Sequence, residues 1–412
     1  MTANVLCKAP LTAALIDTNK GVRPCCVYDD AYIGNIKEQS LISIISNDEW
    51  KKLKEQMYSN TWPSACLPCK EREKISNGWS VRHLFNDGAF DVNGWQEEKL
   101  TYLEFNGSNI CNLSCLHCNA GFSSRWVVET QKAIAVHKTY ERTKRENMSW
   151  FDALINYTDD TRGRSTKMHL PNPDLVLENL KSIDLSNLKT INFKGGEPFL
   201  NSETTAILTY LDQQNVLPRI SITISSNGTY INKEILILLR KCKFIHLYIS
   251  LDGVHDLFNY IRYGDAKFED IEPTIAMLNE LTNINIQFSV TVMNYNIFNL
   301  VDIRNWAATM MEKYSSISGC GFSNCLTHPT YLSVLTLSDE TRRDLIEHYS
   351  LNLSGQIGVE QVIATLSNNY AGNDIHNFWI DYTMLMQTVR NNNILDIVPQ
   401  LEKELVYINR NY

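Results

Sequence analysis

Eleven cysteines in a chain of 412 residues constrain this sequence more than any other feature, because eight of them fall in close groups before residue 120. They stand at positions 7, 25, 26, 66, 69, 111, 115, 118, 242, 320 and 325. The first twenty residues carry no charged segment followed by a long apolar stretch, so export is not expected. Disulfides are then a poor explanation, since the cytosol keeps thiols reduced, and closely spaced cysteines point to metal or iron–sulfur ligation. The rest of the composition sets limits. A net charge of −8 without basic blocks argues against a nucleic-acid surface. No apolar run reaches the roughly 20 residues of a membrane span. A soluble, cytoplasmic protein is expected.

Three zones follow from patterning. Residues 1–75 hold short strand-like pieces at 11–17 and 21–27 and a helical pattern at 48–58. Residues 76–100 are rich in Gly, Asn and Asp and read as a connector. From residue 100, strands predicted at 101–105, 188–194, 220–225, 244–250 and 284–292 alternate with helices predicted at 123–136, 201–214, 233–241, 271–281 and 298–313. Repeated strand–helix units imply an α/β fold with a parallel sheet, open or closed into a barrel. A polar insertion occupies 137–170. Residues 331–412 are mostly helical, with candidates at 339–350, 378–391 and 393–406.

The segment 111–118 reads C-N-L-S-C-L-H-C, directly after the first barrel strand. Three thiolates so close converge on one inorganic centre if the backbone loops around it, and soft sulfur ligands suit an iron–sulfur cluster or zinc. In a 4Fe–4S cluster, three cysteines leave one iron open for reaction. In a zinc site, His117 or a distant residue would complete the shell. At the end of the next strand lies K-G-G-E-P (194–198), where two glycines permit close backbone approach and Glu197 offers a carboxylate to an amino group. Alone, that segment is an ordinary turn.

Together these motifs, followed in order by S-S-N-G (225–228), S-L-D-G (250–253) and Y-I-R-Y-G (260–264), resemble the radical S-adenosylmethionine (radical SAM) superfamily over residues 101–325 or so. The resemblance implies a partial (β/α)6 barrel with cofactors at the C-terminal ends of the strands. It implies that Cys111, Cys115 and Cys118 ligate a 4Fe–4S cluster whose open iron is chelated by S-adenosylmethionine. Gly195, Gly196 and Glu197 would face the methionine amino group. Ser226 and Asn227 would lie near the ribose, Ser250 and Arg262 near the ribose or carboxylate, and His117 by the adenine rather than as a base. A guanidinium pairs well with a carboxylate, which suits Arg262. The insertion lengthens the gap between Cys118 and the glycines beyond the family's spacing.

A second group, Cys7, Cys26, Cys66 and Cys69, offers enough thiolates to close a 4Fe–4S cluster completely. Spacing does not separate Cys26 from the adjacent Cys25. The arrangement resembles the auxiliary-cluster SPASM/twitch extension of radical SAM enzymes, placed before the barrel instead of after it; a structural four-cysteine zinc ribbon is the alternative. Cys242 reads as a buried hydrophobe. Cys320 and Cys325 read as ordinary thiols, with a ligand or substrate-pocket role as the sharper option.

The resemblance implies reductive cleavage of S-adenosylmethionine to a 5′-deoxyadenosyl radical, fed by an electron donor such as flavodoxin or ferredoxin. It implies hydrogen-atom abstraction from a peptide or protein. A small-molecule dehydrogenase acting on an aminosugar is the alternative within that chemistry, and a noncatalytic zinc scaffold the alternative outside it. Trp126 and Trp150 suit either a substrate groove or the core.

Overall fold

The computed structural model describes residues 5–29, 32–74, 80–87, 98–140 and 168–406, with the side chains of 137–140 left aside. Three short strands come first: β1 (Ala13–Ile16), β2 (Gly21–Arg23) and β3 (Gly34–Asn35). Among them lie helices α1 (Ala9–Thr12), α2 (Leu41–Ile45), α3 (Asp48–Tyr58), α4 (Leu67–Glu73) and α5 (Val81–Asn86). Six parallel strands follow in chain order: β4 (Tyr102–Phe105), β5 (Thr190–Phe193), β6 (Ser221–Ser226), β7 (Phe244–Ser250), β8 (Ile284–Val292) and β9 (Ile317–Cys325).

The crossovers are helical, as parallel pairing requires. They are α6 (Ser124–Tyr140) and α7 (Pro173–Lys181) after β4, α8 (Ser202–Gln213) after β5, and α9 (Lys233–Leu239) after β6. Helices α10 (His255–Ile261) and α11 (Ile271–Leu278) follow β7, and α12 (Leu300–Lys313) follows β8. In β7, Ile245, Leu247 and Ile249 are buried and alternate with the more exposed His246 and Tyr248. Strand β8 repeats the alternation. One face therefore joins the apolar core and the other forms a polar lumen. The sheet order is linear, ending at β3 and β9, so the barrel is partial.

The sequence sets residues 1–75 apart, but the sheet joins them to the barrel. Strand β1 pairs in parallel with β4, from Ala13 opposite Tyr102 to Ile16 opposite Phe105, and β2 and β3 extend the same sheet to nine strands. Trp50 on α3 is buried, and its Nε1 donates to Pro10 O at 2.8 Å, which fixes that helix against α1. The connector at 76–100 contains α5; residues 75–79 and 88–97, like 141–167 of the insertion with Trp150, lie outside the described residues.

Beyond β9 come α13 (Asp339–Asn352), α14 (Val359–Leu366) and α15 (Asn373–Arg390). Where a helix is expected over 393–406, two 3₁₀ segments stand instead, Ile394–Asp396 and Pro399–Lys403. Pro399 lacks the N–H that a continuous helix needs there. Among the described residues no helix is long and apolar enough to cross a membrane.

Candidate functional site

The loop from Cys111 to Cys118 leaves the C-terminal end of β4 and enters α6, and its backbone polar groups are closely accounted for. Ser114 N donates to Tyr263 O at 2.7 Å and Leu116 N to Ile261 O at 2.9 Å. Three successive carbonyls each receive a side-chain donor. Arg390 Nη2 donates to Ser114 O, Trp126 Nε1 to Cys115 O at 2.8 Å, and Tyr382 Oη to Leu116 O at 3.0 Å. Trp126 is thus core and brace, not groove. Arg390 also pairs with Glu129 at 2.7 Å, donates to Tyr260 O, and lies 4.8 Å from the Tyr263 ring centroid. Glu129 in turn accepts from Ser114 Oγ at 2.7 Å. Tyr382 and Arg390 both sit on α15, so the C-terminal helix clamps the cysteine loop.

Cys111, Cys115 and Cys118 are brought together: Cys111 feels both other thiols and Cys118 feels Cys115. Burial pushes all three thiols up, Cys118 to about 12. Such groups ionise when a cationic centre offsets burial, and that donor set suits iron. Arg262 lies over this loop, with Nη1 3.6 Å from Cys115 Sγ and Nη2 2.6 Å from Asp252 Oδ2. Asp252 Oδ1 is held by Thr291 N at 2.8 Å. His117 Nε2 lies 3.5 Å from Asp252 Oδ2, and burial lowers its pKa to about 4, leaving a neutral ring at pH 7. His117 Nδ1 and Arg262 Nε have no hydrogen-bond partner although buried, which fits a polar guest beside Cys115.

The glycines serve a different closeness from the one the sequence suggests. A Cβ on Gly195 (φ +112°) would lie 1.8 Å from Asn106 O, and one on Gly196 would lie 2.1 Å from Ile110 O. The tight approach is to the chain's own β4 loop, sealed by Gly196 N to Ser108 O at 3.1 Å and Glu197 N to Ile110 O at 2.8 Å. Glu197 is buried, and burial raises its carboxyl to about 7 against the pull of its donors. Those donors are Asn227 N at 2.8 Å, Phe199 N at 3.1 Å and Ser226 Oγ at 2.8 Å, so the carboxylate ties the end of β5 to the end of β6. Asn227 Nδ2 continues to Asn112 Oδ1 at 2.7 Å, with Cys111 Sγ 4.0 Å away. Ser250 ends β7, in register with Ser289.

The second cysteine group also gathers, with one exchange. Cys7 feels Cys69, Cys66 feels Cys7 and Cys69, and Cys25 feels Cys7 and Cys66. Burial pushes Cys7 and Cys66 up to about 12 and Cys25 well above its usual range. Cys26 feels Glu104, Lys194 and Arg23 instead of Cys7, Cys66 or Cys69. Cys242 is buried with Sγ 3.8 Å from Leu238 O, as a core residue. Cys320 and Cys325 lie on β9, away from both groups: burial alone raises Cys320, and Cys325 Sγ is 4.0 Å from Gln361 O. Among the described residues, no three or more His, Cys, Asp or Glu side chains gather as a single metal ion requires.

Spacing missed Asp252, Arg390, Glu129 and Tyr382. Asp252 stands inside the S-L-D-G motif, where its position was visible and its partner was not. Nothing local marks the other three.

The sequence matches the family model described as the radical SAM superfamily over residues 105–307, and one described as an iron–sulfur cluster-binding domain, SPASM, over residues 7–70. The fold and its cysteine loop thus define a cofactor-dependent enzyme. The chain carries a radical SAM domain over residues 105–307 and a SPASM domain over residues 7–70. These domains imply a 4Fe–4S cluster with S-adenosylmethionine, and an auxiliary iron–sulfur cluster. No curated protein matches the sequence. Among solved structures, native anSMEcpe with bound AdoMet and a peptide is similar at 14% identity and a TM-score of 0.35, covering 71% of this chain and 62% of that one. TsrM from Kitasatospora setae, a radical S-adenosylmethionine methyltransferase, is similar at 14% identity and a TM-score of 0.36, covering 56% and 35%. SuiB from Streptococcus suis bound to S-adenosylmethionine is similar at 13% identity and a TM-score of 0.33, covering 75% and 59%.

Removing Arg390 leaves Glu129 without its cation and the carbonyls of Ser114 and Tyr260 without their donor in the interior. Arg390→Met is expected to lower stability by about 3–5 kcal/mol, read as a fall in urea midpoint, and Arg390→Met/Glu129→Met to recover most of it. An unchanged midpoint in the single variant would remove Arg390 from the clamp.

Proposed function

We propose that this chain takes a hydrogen atom from a peptide or protein substrate held in the barrel lumen. The observation that carries the reading is the convergence of the 111–118 loop, the 195–197 turn, Asn227 and Arg262 at the C-terminal ends of successive parallel strands. When bound, the cluster and S-adenosylmethionine supply a 5′-deoxyadenosyl radical, and the protein supplies orientation and exclusion of water. Cys111, Cys115 and Cys118 hold the first cluster. Gly195 and Gly196 close the turn against β4 so that Glu197, Ser226 and Asn227 stand beside the ligand's amino group and ribose. Ser250 and Arg262 serve its ribose or carboxylate, with Asp252 aiming the guanidinium, while neutral His117 lies by the adenine and moves no proton.

Cys7, Cys25, Cys66 and Cys69 form the auxiliary set, with Cys25 in the place that spacing gave to Cys26. Four thiolates leave no iron open, which favours electron transfer or support over substrate ligation. A flavodoxin- or ferredoxin-like donor supplies the electron. The open sheet, with His246 and Tyr248 exposed on its lumen face, supports a substrate as large as a peptide.

Cys115→Ala is expected to abolish 5′-deoxyadenosine formation in anaerobically reconstituted, dithionite-reduced protein; retained cleavage would take Cys115 out of the mechanism. In the auxiliary set, Cys25→Ala is expected to lose about four irons per chain and Cys26→Ala none, as a closed 4Fe–4S site requires. Iron loss in Cys26→Ala with none in Cys25→Ala would restore the assignment from spacing.

A further inference from the structure

Strands β4 and β5 pair so that Glu104 stands opposite Asn192. Alternation sends Leu103, Phe105, Ile191 and Phe193 into the apolar core, and Tyr102, Glu104, Asn192 and Lys194 onto the other face. There they form one network. Tyr102 Oη donates to Glu104 Oε2 at 2.9 Å, and Asn192 Nδ2 donates to Tyr102 Oη at 2.9 Å and to Glu104 Oε2 at 3.2 Å. Lys194 Nζ lies 3.4 Å from the carboxylate.

The network sits between the two cysteine groups. Tyr102 belongs to the small apolar cluster of Ala9, Ala13 and Phe85, against which Cys7 and Cys25 pack. Lys194 directly precedes Gly195, and Cys26 faces both Glu104 and Lys194.

Two acceptors in this network lack a hydrogen bond. Asn192 Oδ1 has no partner and Glu104 Oε1 has only the Lys194 ammonium, 3.4 Å away, although the residues are only 3% and 4% exposed. A buried acceptor left unmade is costly, and two on neighbouring strands call for N–H donors. The charge is already balanced by the Glu104–Lys194 pair, so an added ammonium or carboxylate would bring an uncompensated charge into a buried site. A neutral group carrying both an N–H donor and a carbonyl acceptor meets every demand, its N–H to Glu104 and Asn192 and its oxygen to Lys194. That group is an amide.

We propose that Glu104, Asn192 and Lys194 form a subsite that seats an amide of the substrate between the two clusters. The Lys194 side chain, 36% exposed against 5% for Glu104, is the part that swings to admit it. The inference rests on the lumen being the substrate site, and it narrows the substrate to an amide-bearing molecule, with a peptide as the source.

The test is ligand-detected NMR on anaerobically reconstituted protein loaded with S-adenosylmethionine, using N-acetylalanine methylamide as probe. Its full ester analogue, methyl 2-acetoxypropanoate, in which neither N–H remains, and glucosamine, lacking the amide, are the comparators. The expected result is saturation of the amide alone, weakened about tenfold by Glu104→Gln and by Lys194→Met, the worth of one lost hydrogen bond of this kind. Lys194→Met guards against loss of fold, since that side chain is partly exposed, and thermal melts check both variants. Equal binding of ester or glucosamine, or unchanged amide binding in both folded variants, would overturn the subsite. Cleavage of S-adenosylmethionine is measured on the same preparation. Cleavage without amide binding defeats the subsite alone, whereas amide binding without cleavage supports the subsite and defeats the reaction.

Discussion

The cofactor end of this protein depends on how one loop disposes of its backbone carbonyls. A loop that wraps its thiols around an inorganic cluster gives up regular hydrogen bonding, and buried carbonyls without donors would leave it unstable. Here Ser114, Cys115 and Leu116 present three such carbonyls in succession, and Arg390, Trp126 and Tyr382 each satisfy one. Two of those donors come from the far end of the chain. The C-terminal helix is therefore part of the cofactor site, and the buried Arg390–Glu129 pair is the pin that fixes it to α6.

The same logic extends across the ends of the strands. Glu197 accepts from the ends of two successive strand–loop units, and Asn227 carries the link on to the cysteine loop through Asn112. Arg262, aimed by Asp252, closes the other side at Cys115. At the opposite edge, parallel pairing of β1 with β4 brings Cys7 and Cys25 against Tyr102, on the face that also carries Glu104 and Lys194. One continuous sheet thus sets the distance between both cysteine groups, which a flexible tether would leave free.

Much of this was legible in the sequence. Strands β7 and β8 were read to the residue, because β-branched and aromatic residues alternate through them. Strand β9 was missed, since I-S-G-C-G-F-S-N-C carries two glycines and little β propensity; it forms through pairing with β8. The motif cysteines and glycines announce themselves by spacing, but spacing is blind to side-chain direction and does not separate Cys26 from Cys25. Likewise a Gly-Gly turn signals close approach without naming the neighbour, here the carbonyls of Asn106 and Ile110. Arg390 and Tyr382 gave no signal, because their partners lie hundreds of residues away and nothing periodic links them.

The central claim is that one sheet organises two separate iron–sulfur sites. Iron and sulfide analysis with Mössbauer spectra on anaerobically purified, reconstituted protein tests it most directly. The account predicts about eight irons and eight sulfides per chain, as two 4Fe–4S clusters, one of them with a distinct iron site. Zinc without iron, persisting after reconstitution, would contradict it.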